Sequence, residues 1–122
     1  MDMRIELILL PSTDVDRTKA FYADRVGFLL DHDVEPGNGM RVVQLTPPGS
    51  ACSIGFGTGM IEPSSPPVKG IHLVVDDLDA AREKLLGNGV DVSGIHDFGG
   101  GVRSSFFSDP DGNSWELQEI RL

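Results

Sequence analysis

The sequence has few of the features that a secreted, membrane-bound or nucleic-acid-binding protein needs. Cys52 is the only cysteine, so no internal disulfide can form, and we expect a reducing compartment, the cytoplasm. Basic residues number 10 against 19 acidic ones, and the net charge of −9 argues against nucleic acid or an anionic membrane surface as partner. The apolar run from Leu7 to Leu10 is too short to cross a bilayer. We therefore expect a cytoplasmic globular protein, and its 122 residues fit a single domain, residues 1–122.

The same order of predicted elements occurs twice along the chain. RIELILLP, residues 4–11, is typical of a strand, Asp14 can cap a helix, and VDRTKAFYADRV has helical apolar spacing. This order is repeated by the segment GIHLVVD, residues 70–76, a cap at Asp76 or Asp77, and LDAAREKLLGNG. Placing Asp14 over Asp77 aligns the halves at an offset of 63 residues, which indicates an internal repeat.

Each half is completed by short extended runs. They are predicted near residues 28–33, 40–46 and 51–57, and again near 91–94, 102–108 and 114–120. Module one therefore covers about residues 1–58, a proline-rich linker about 59–69, and module two about 70–122. Because a one-sided sheet cannot bury its apolar face alone, the halves are expected to pair.

A turn near the end of the chain leads into the last predicted strand. The residues DPDGN at 109–113 favour a tight turn, because proline presets its backbone and glycine tolerates a positive φ. In the strand that follows, Trp115 and Leu117 share one face and Glu116 and Gln118 share the other. The mid-strand carboxylate of Glu116 fits a metal ligand, a substrate contact or an ordinary solvated residue.

Several short motifs recur in this order and together resemble one family. The chain resembles the vicinal oxygen chelate superfamily, which includes glyoxalase I, extradiol dioxygenases, fosfomycin-resistance enzymes and bleomycin-resistance binding proteins. The resemblance implies an α+β fold of two βαβββ modules, which form a curled, incompletely closed eight-strand sheet around a cavity with helices outside. It also implies a homodimer. The motifs are Asp14-Val15-Asp16, Asp77-Leu78-Asp79, and F-x-x-D-P-D-G-x-x-x-E from Phe106 to Glu116.

Metal-dependent members of this superfamily hold an ion with four His, Gln or Glu side chains from the first and last strands of both modules. Counting back from the helix-capping aspartates places the first-strand positions at Leu7 and Gly70, and the last-strand positions fall at or near Gly55 and at Glu116. Of these residues, Glu116 alone can bind a metal. The resemblance therefore implies that the usual site is absent, and no cofactor is expected.

His72 leaves a non-standard metal site open. It lies two residues after Gly70, on the same side of its strand, and with Glu116 it could hold a divalent ion if a third group joined them. Candidates for that group are His32, His96 or a residue of a second subunit. The other interpretation of His72 is a hydrogen-bonded structural histidine.

Five more residues are predicted to bind substrate. Ser53 and Gly55 share a strand face, and with Gly70 they leave volume where relatives carry large ligand side chains, unless this glycine-rich strand is simply a fraying end. Arg103 could recognise a carboxylate or phosphate, or could form a surface ion pair instead. Gln118 faces the same way as Glu116 by alternation.

Two functions fit these residues. The first is lyase- or isomerase-like proton transfer on a small organic molecule without the usual metal, as in a glyoxalase- or dioxygenase-related enzyme. Glu116 would be the general base or acid there, and His72 would complete the proton transfer. The alternative is a non-catalytic protein that sequesters a cationic or neutral polar ligand, like the drug-resistance members of the superfamily. The fold alone does not decide between them.

Overall fold

The computed structural model describes residues 1–122, which divide into two compact units, Met1–Pro67 and Val68–Leu122. Each unit has its own sheet and its own helix. None of the helices has the length and apolar character needed to span a membrane.

The first unit is a βαβββ module. Its sheet has the strand order β1-β4-β3-β2, in which β1 runs parallel to β4 and the other neighbours are antiparallel. The helix α1 continues directly into one π-helical segment, Phe21–Val26. The elements are β1 (Leu7–Leu9), α1 (Val15–Ala20), β2 (Leu29–Gly37), β3 (Met40–Thr46) and β4 (Ser53–Thr58).

The second unit repeats this plan. Its strand order is β5-β8-β7-β6, again with one parallel pair, β5 with β8. The two four-stranded mixed sheets and their helices confirm the predicted α+β class with two βαβββ modules, and neither sheet closes into a barrel. The elements are β5 (Ile71–Val74), α2 (Leu78–Gly87), β6 (His96–Gly99), β7 (Val102–Ser108) and β8 (Ser114–Ile120).

The predicted strand at 91–94 is absent, and β6 begins at His96 instead. Ser93 does bind β7, since its N–H donates to the Phe106 carbonyl and its hydroxyl accepts from the Phe106 N–H, each over 2.9 Å. The Ser93 hydroxyl, rather than a backbone carbonyl, thus accepts from the Phe106 N–H, and the pairing of this segment with β7 ends after one residue.

Both helices begin where the sequence predicts them. The Asp14 side chain accepts a hydrogen bond from the Arg17 N–H, and the Asp77 side chain accepts one from the Ala80 N–H, each over 3.1 Å. These caps satisfy N–H groups that have no partner within the helix.

Alternation along the strands separates a core face from a second face in each sheet. In the second unit, Trp115 stacks on Phe107 with ring centroids 6.1 Å apart, and Leu117 lies beside them in the core, as predicted. The core of the first unit is built around Tyr22, which stacks on Phe28 at 5.5 Å. The polar candidates Glu116 and Gln118 lie on the second face of β8, away from Trp115.

A charged cluster ties β2 to β3 and to α1 in the first unit. Asp33 accepts hydrogen bonds from Arg41 and Lys19, with shortest distances of 2.8 Å to each. The Arg41 guanidinium, and after it the Lys19 ammonium, hold the pKa of Asp33 well below its usual range. The cluster fixes the bulged strand β2 against its neighbour.

A second cluster ties α2 to β7 and β8 on the core face. Glu119 is buried, and its carboxylate lies 3.0 Å from Arg103 Nη1 and 2.9 Å from Arg121 Nη2. The Leu78 N–H, in the first turn of α2, donates to the same carboxylate over 3.3 Å. Asp79, with Glu119, raises the pKa of Arg103, so this guanidinium stays charged.

Replacing Arg103 should therefore destabilise the protein. In Arg103→Met, buried Glu119 loses one of its two guanidinium partners, and we expect the midpoint of unfolding to shift to a lower urea concentration. Urea unfolding measures this, with Lys84→Met, which removes a charge from the exposed side of α2, as the control. Equal stability of the two variants would contradict the role given to Arg103.

Gly57 should be sensitive to any side chain. A Cβ added there would lie 1.8 Å from the carbonyl oxygen of Arg41 in the neighbouring strand β3. We expect Gly57→Ala to lower the free energy of unfolding by about 3 kcal/mol, because the backbones of β3 and β4 must separate. The control Gly87→Ala adds the same methyl group to open space at the end of α2, where it should stabilise by up to about 1 kcal/mol. Thermal unfolding of both variants tests the contrast.

Candidate functional site

The carboxylate of Glu116 lies at the centre of a small polar group in the second unit. Ser104 Oγ donates to Glu116 Oε2 over 2.8 Å, and His72 Nε2 lies 3.6 Å from Glu116 Oε1. The Glu116 side chain is 18% exposed and that of His72 is 51% exposed. A fixed, half-buried carboxylate beside an accessible imidazole is an arrangement that can bind a polar ligand or exchange a proton with it.

Strand register brings these side chains together. In the parallel pair of β5 and β8, His72 is the partner of Glu116. In the antiparallel pair of β7 and β8, Ser104 is the partner of Gln118, one step along the same face. His72 Nδ1 lies 3.3 Å from Gln118 Oε1, so both ring nitrogens have an oxygen acceptor nearby and the imidazolium form can donate to Gln118.

The register corrects the position assigned to Gly70. In the first unit Leu7 is the partner of Ser53, and in the second unit the corresponding pair is His72 with Glu116. Counting back from the caps fails because the connection to the helix differs in length. The last ladder N–H is four residues before Asp14 in one unit and two residues before Asp77 in the other. The counterpart of Leu7 is therefore His72, and Gly70 lies before β5 with a φ of +73°. By the same register the counterpart of Glu116 is Ser53, two residues before Gly55.

The space predicted at Gly55 is filled. A Cβ added to Gly55 would lie 3.1 Å from Leu7 Cδ1 and 3.3 Å from Leu9 Cδ2, so leucine side chains from β1 cover this glycine. Ser53, two residues earlier, is buried, and its hydroxyl lies 2.6 Å from Thr46 Oγ1. These two predicted substrate-binding residues are thus packed within their own unit. By contrast, nothing lies within 4 Å of a Cβ added to Gly70.

A cavity of about 420 Å³ opens beside Glu116 in the second unit. Its charged lining consists of Asp91 and Glu116, and no lysine, arginine or histidine lines it. The volume is within the range of small-molecule sites. The lining residues are Gly70, Asp91, Ser93, Phe106, Phe107, Ser108, Ser114, Trp115 and Glu116.

Arg103 is not part of this group. It shares the core face of β7 with buried Ser105 and Phe107, and its guanidinium is bound to Glu119 and Asp79. The ion pair that the sequence left open does form, but one of its two acidic partners is the buried Glu119 rather than a surface residue, and the charge of Arg103 is thereby already neutralised.

Ser104 was missed by the sequence interpretation. The alternation of β7 carries the signal, because Ser104 and Phe106 point to the face opposite Phe107, which is the face of Glu116. A serine two residues from an exposed aromatic residue is a weak pattern, and only the cross-strand register identifies Glu116 as its acceptor.

The donor set does not fit the metal site of the family. No cluster of three or more His, Cys, Asp or Glu side chains occurs in the structure. His72 and Glu116 supply two donors, while their counterparts Leu7 and Ser53 supply no imidazole or carboxylate. His96, a sequence candidate for the third donor, is not grouped with them in any such cluster. Two donors leave most of the coordination sphere of a divalent ion to water.

Solved structures share this fold over nearly the whole chain. TnmS3, an antibiotic binding protein from Streptomyces sp. CB03234, is 33% identical with a TM-score of 0.83, and the match covers 98% of each chain. A glyoxalase/bleomycin resistance protein/dioxygenase superfamily member from Sphaerobacter thermophilus DSM 20745 is 28% identical with a TM-score of 0.83, covering 97% of this chain and 98% of that one.

Relatives are also found by sequence. The uncharacterized protein YaeR of Escherichia coli (strain K12) is 33% identical over 131 aligned positions, which cover 95% of each protein. CFP32 of Mycobacterium tuberculosis (strain CDC 1551 / Oshkosh) is 32% identical over 110 residues. That match covers 84% of this chain but spans only 40% of the length of the mycobacterial protein.

The match to a family model covers most of the chain. Residues 4–117 match the model described as the Glyoxalase/Bleomycin resistance protein/Dioxygenase superfamily. With this match and two βαβββ modules, the chain belongs to the glyoxalase/bleomycin resistance protein/dioxygenase superfamily.

Proposed function

We propose that this protein binds and sequesters a small organic molecule on the Glu116 face of the second unit, without converting it. The observation that carries this proposal is the group formed by Glu116, His72 and Ser104 beside a cavity of about 420 Å³. Of the residues predicted from sequence, Glu116, His72 and Gln118 are the proposed ligand contacts, and Gly70 leaves room beside them.

The arrangement of Glu116 favours binding. Ser104 holds one carboxylate oxygen and leaves the other directed at His72, so a ligand meets an anion whose position is already fixed. A preoriented group loses little conformational entropy when a ligand binds, which improves affinity. The similarity to TnmS3, an antibiotic binding protein that aligns over 98% of each chain, supports the same role.

The charge of the cavity favours a cationic or neutral polar ligand. Asp91 and Glu116 line it without a basic side chain, and the whole chain carries a net charge of −9. An anionic ligand would meet repulsion from both carboxylates. A protonated amine could form a charge-assisted hydrogen bond with Glu116.

Proton transfer is the second candidate function. The 3.6 Å between His72 Nε2 and Glu116 Oε1 sets an acid and a base side by side. In a lyase- or isomerase-like reaction Glu116 would take a proton from a carbon beside a carbonyl group, and His72 would donate one to the developing oxyanion. This candidate uses the same two residues, so turnover distinguishes it from binding alone.

The protein is further proposed to be a cytoplasmic homodimer of single-domain chains. The single free cysteine, Cys52, fits a reducing compartment. Several large apolar side chains of the strands are exposed in the single chain, among them Leu29, Val34 and Val74. A second copy would remove such side chains from water.

Removing the charge of Glu116 should weaken ligand binding. Against a panel of cationic antibiotics, we expect Glu116→Gln to lower affinity about tenfold to a hundredfold, as measured by calorimetry on the ligands that raise the melting temperature of the wild type. Glu83→Gln, which removes the same charge from an exposed position on α2, should leave affinity unchanged. Product formation by the wild type that is lost in Glu116→Gln would instead establish the proton-transfer function.

Binding should not depend on a divalent metal. Because two donors are too few to retain an ion, protein purified without added metal should contain well under one transition-metal ion per chain by elemental analysis. Dialysis against EDTA should leave ligand affinity unchanged. An affinity lost on dialysis and restored by zinc or nickel would overturn the metal-free interpretation.

A further inference from the structure

An aromatic cluster lies beside the proposed site and plays no part in the core. It consists of His96, Phe98 and Phe106, on β6 and β7. The His96 ring centroid lies 6.4 Å from that of Phe98 and 5.7 Å from that of Phe106. Phe98 is 62% exposed and Phe106 is 37% exposed, whereas the other four phenylalanines of the chain are buried.

The cluster shares a face with the carboxylate. Phe106 is the cross-strand partner of Glu116 in the pair of β7 and β8. His96 is the partner of Ser104, whose hydroxyl binds Glu116. Directly opposed residues on one sheet face have Cβ atoms about 5 Å apart, so a single small molecule can touch both the Phe106 ring and the Glu116 carboxylate.

The cavity joins these two chemistries. Phe106 and Glu116 both line the volume of about 420 Å³, together with Asp91, and no basic group lies along it. An aromatic ring favours flat apolar surface, and its face also attracts cations. Asp91 is a second carboxylate, and Glu116 keeps acceptor capacity beyond its one bond from Ser104, so the lining favours positive charge or hydrogen-bond donors. The lining therefore selects for a molecule that combines a flat conjugated ring system with a cationic group.

We propose that the ligand is a planar aromatic cation, whose ring system lies against Phe106 and Phe98 and whose protonated nitrogen binds Glu116. This inference rests on the proposed function and adds the chemical class of the ligand. Glu116 supplies the charge contact, and the exposed aromatic cluster supplies the flat surface that an aliphatic amine cannot use.

The test is fluorescence titration of the full chain with three probes. 9-Aminoacridine is planar and cationic at neutral pH, anthracene-9-carboxylate is planar and anionic, and cyclohexylamine is cationic but not aromatic. Binding of anthracene-9-carboxylate and of cyclohexylamine is measured by their displacement of 9-aminoacridine. We expect 9-aminoacridine to bind at least about tenfold more tightly than either of the others.

Two variants separate the aromatic contribution from the charge. Phe106→Leu and Phe98→Leu keep apolar volume but remove the ring. Each should lower the affinity for 9-aminoacridine about fivefold to tenfold and change the affinity for cyclohexylamine little. The control Leu86→Ala removes an exposed apolar side chain from α2 and should have no effect. Circular dichroism and melting temperature verify that each variant is folded.

The outcomes divide cleanly between the two proposals. If both phenylalanine variants bind 9-aminoacridine like the wild type, or if cyclohexylamine binds equally well, the aromatic inference is overturned even where Glu116→Gln still weakens binding. If Glu116→Gln leaves every probe unaffected, the proposed role of Glu116 fails as well. A change of molecular mass in the phenylalanine variants, without a change in probe affinity, would assign the cluster to a subunit contact and overturn the inference.

Discussion

The parallel pairing of β5 with β8 is the constraint on which the site depends. Because side chains alternate along a strand, one register places His72 and Glu116 side by side, whereas a shift of one residue would send one of them into the core. The register is held from outside the site by the hydrogen bond from Val75 N–H to the Gln118 carbonyl and by the turn before β8. In that turn Asp109 accepts from the N–H groups of Asp111 and Asn113, which fixes where β8 begins.

The two faces of β8 carry carboxylates with opposite roles. Glu119 is buried against two arginines and the first turn of α2, so its charge is fully compensated and it ties the helix to the sheet. Glu116, three residues earlier, has one serine donor and a partly exposed imidazole, so its capacity to accept hydrogen bonds is not exhausted. The rigid anchor on one face thus supports an incompletely satisfied anion on the other. Because Glu119 holds β8 in place from the core face, Glu116 is fixed in position and still able to accept hydrogen bonds from a ligand.

Local chemistry could be predicted from the sequence, whereas relations across strands could not. The capping aspartates Asp14 and Asp77 and the burial of Trp115 follow from nearest neighbours, which is why they agree with the structure. The position of Gly70 was wrong because two additional residues between strand and helix are invisible to counting. The leucines that cover Gly55 come from a strand more than forty residues away, and no local pattern identifies them. For Arg103 the signal was present, since its parity with Phe107 already indicated the core face.

The leucine cover over Gly55 has a consequence for how this chain can change. In a metal-dependent relative the equivalents of Leu7 and Ser53 would both carry ligands, so two substitutions would supply both side chains here. Here Leu7 and Leu9 pack over the glycine strand, and Ser53 is engaged with Thr46, whose hydroxyl in turn binds Asp31. Replacing Leu7 alone would open a gap in the leucine packing. Replacing Ser53 alone would leave the hydroxyl of Thr46 without its Ser53 partner. Introducing metal ligands at these two positions would therefore destabilise the first module before any ion is bound.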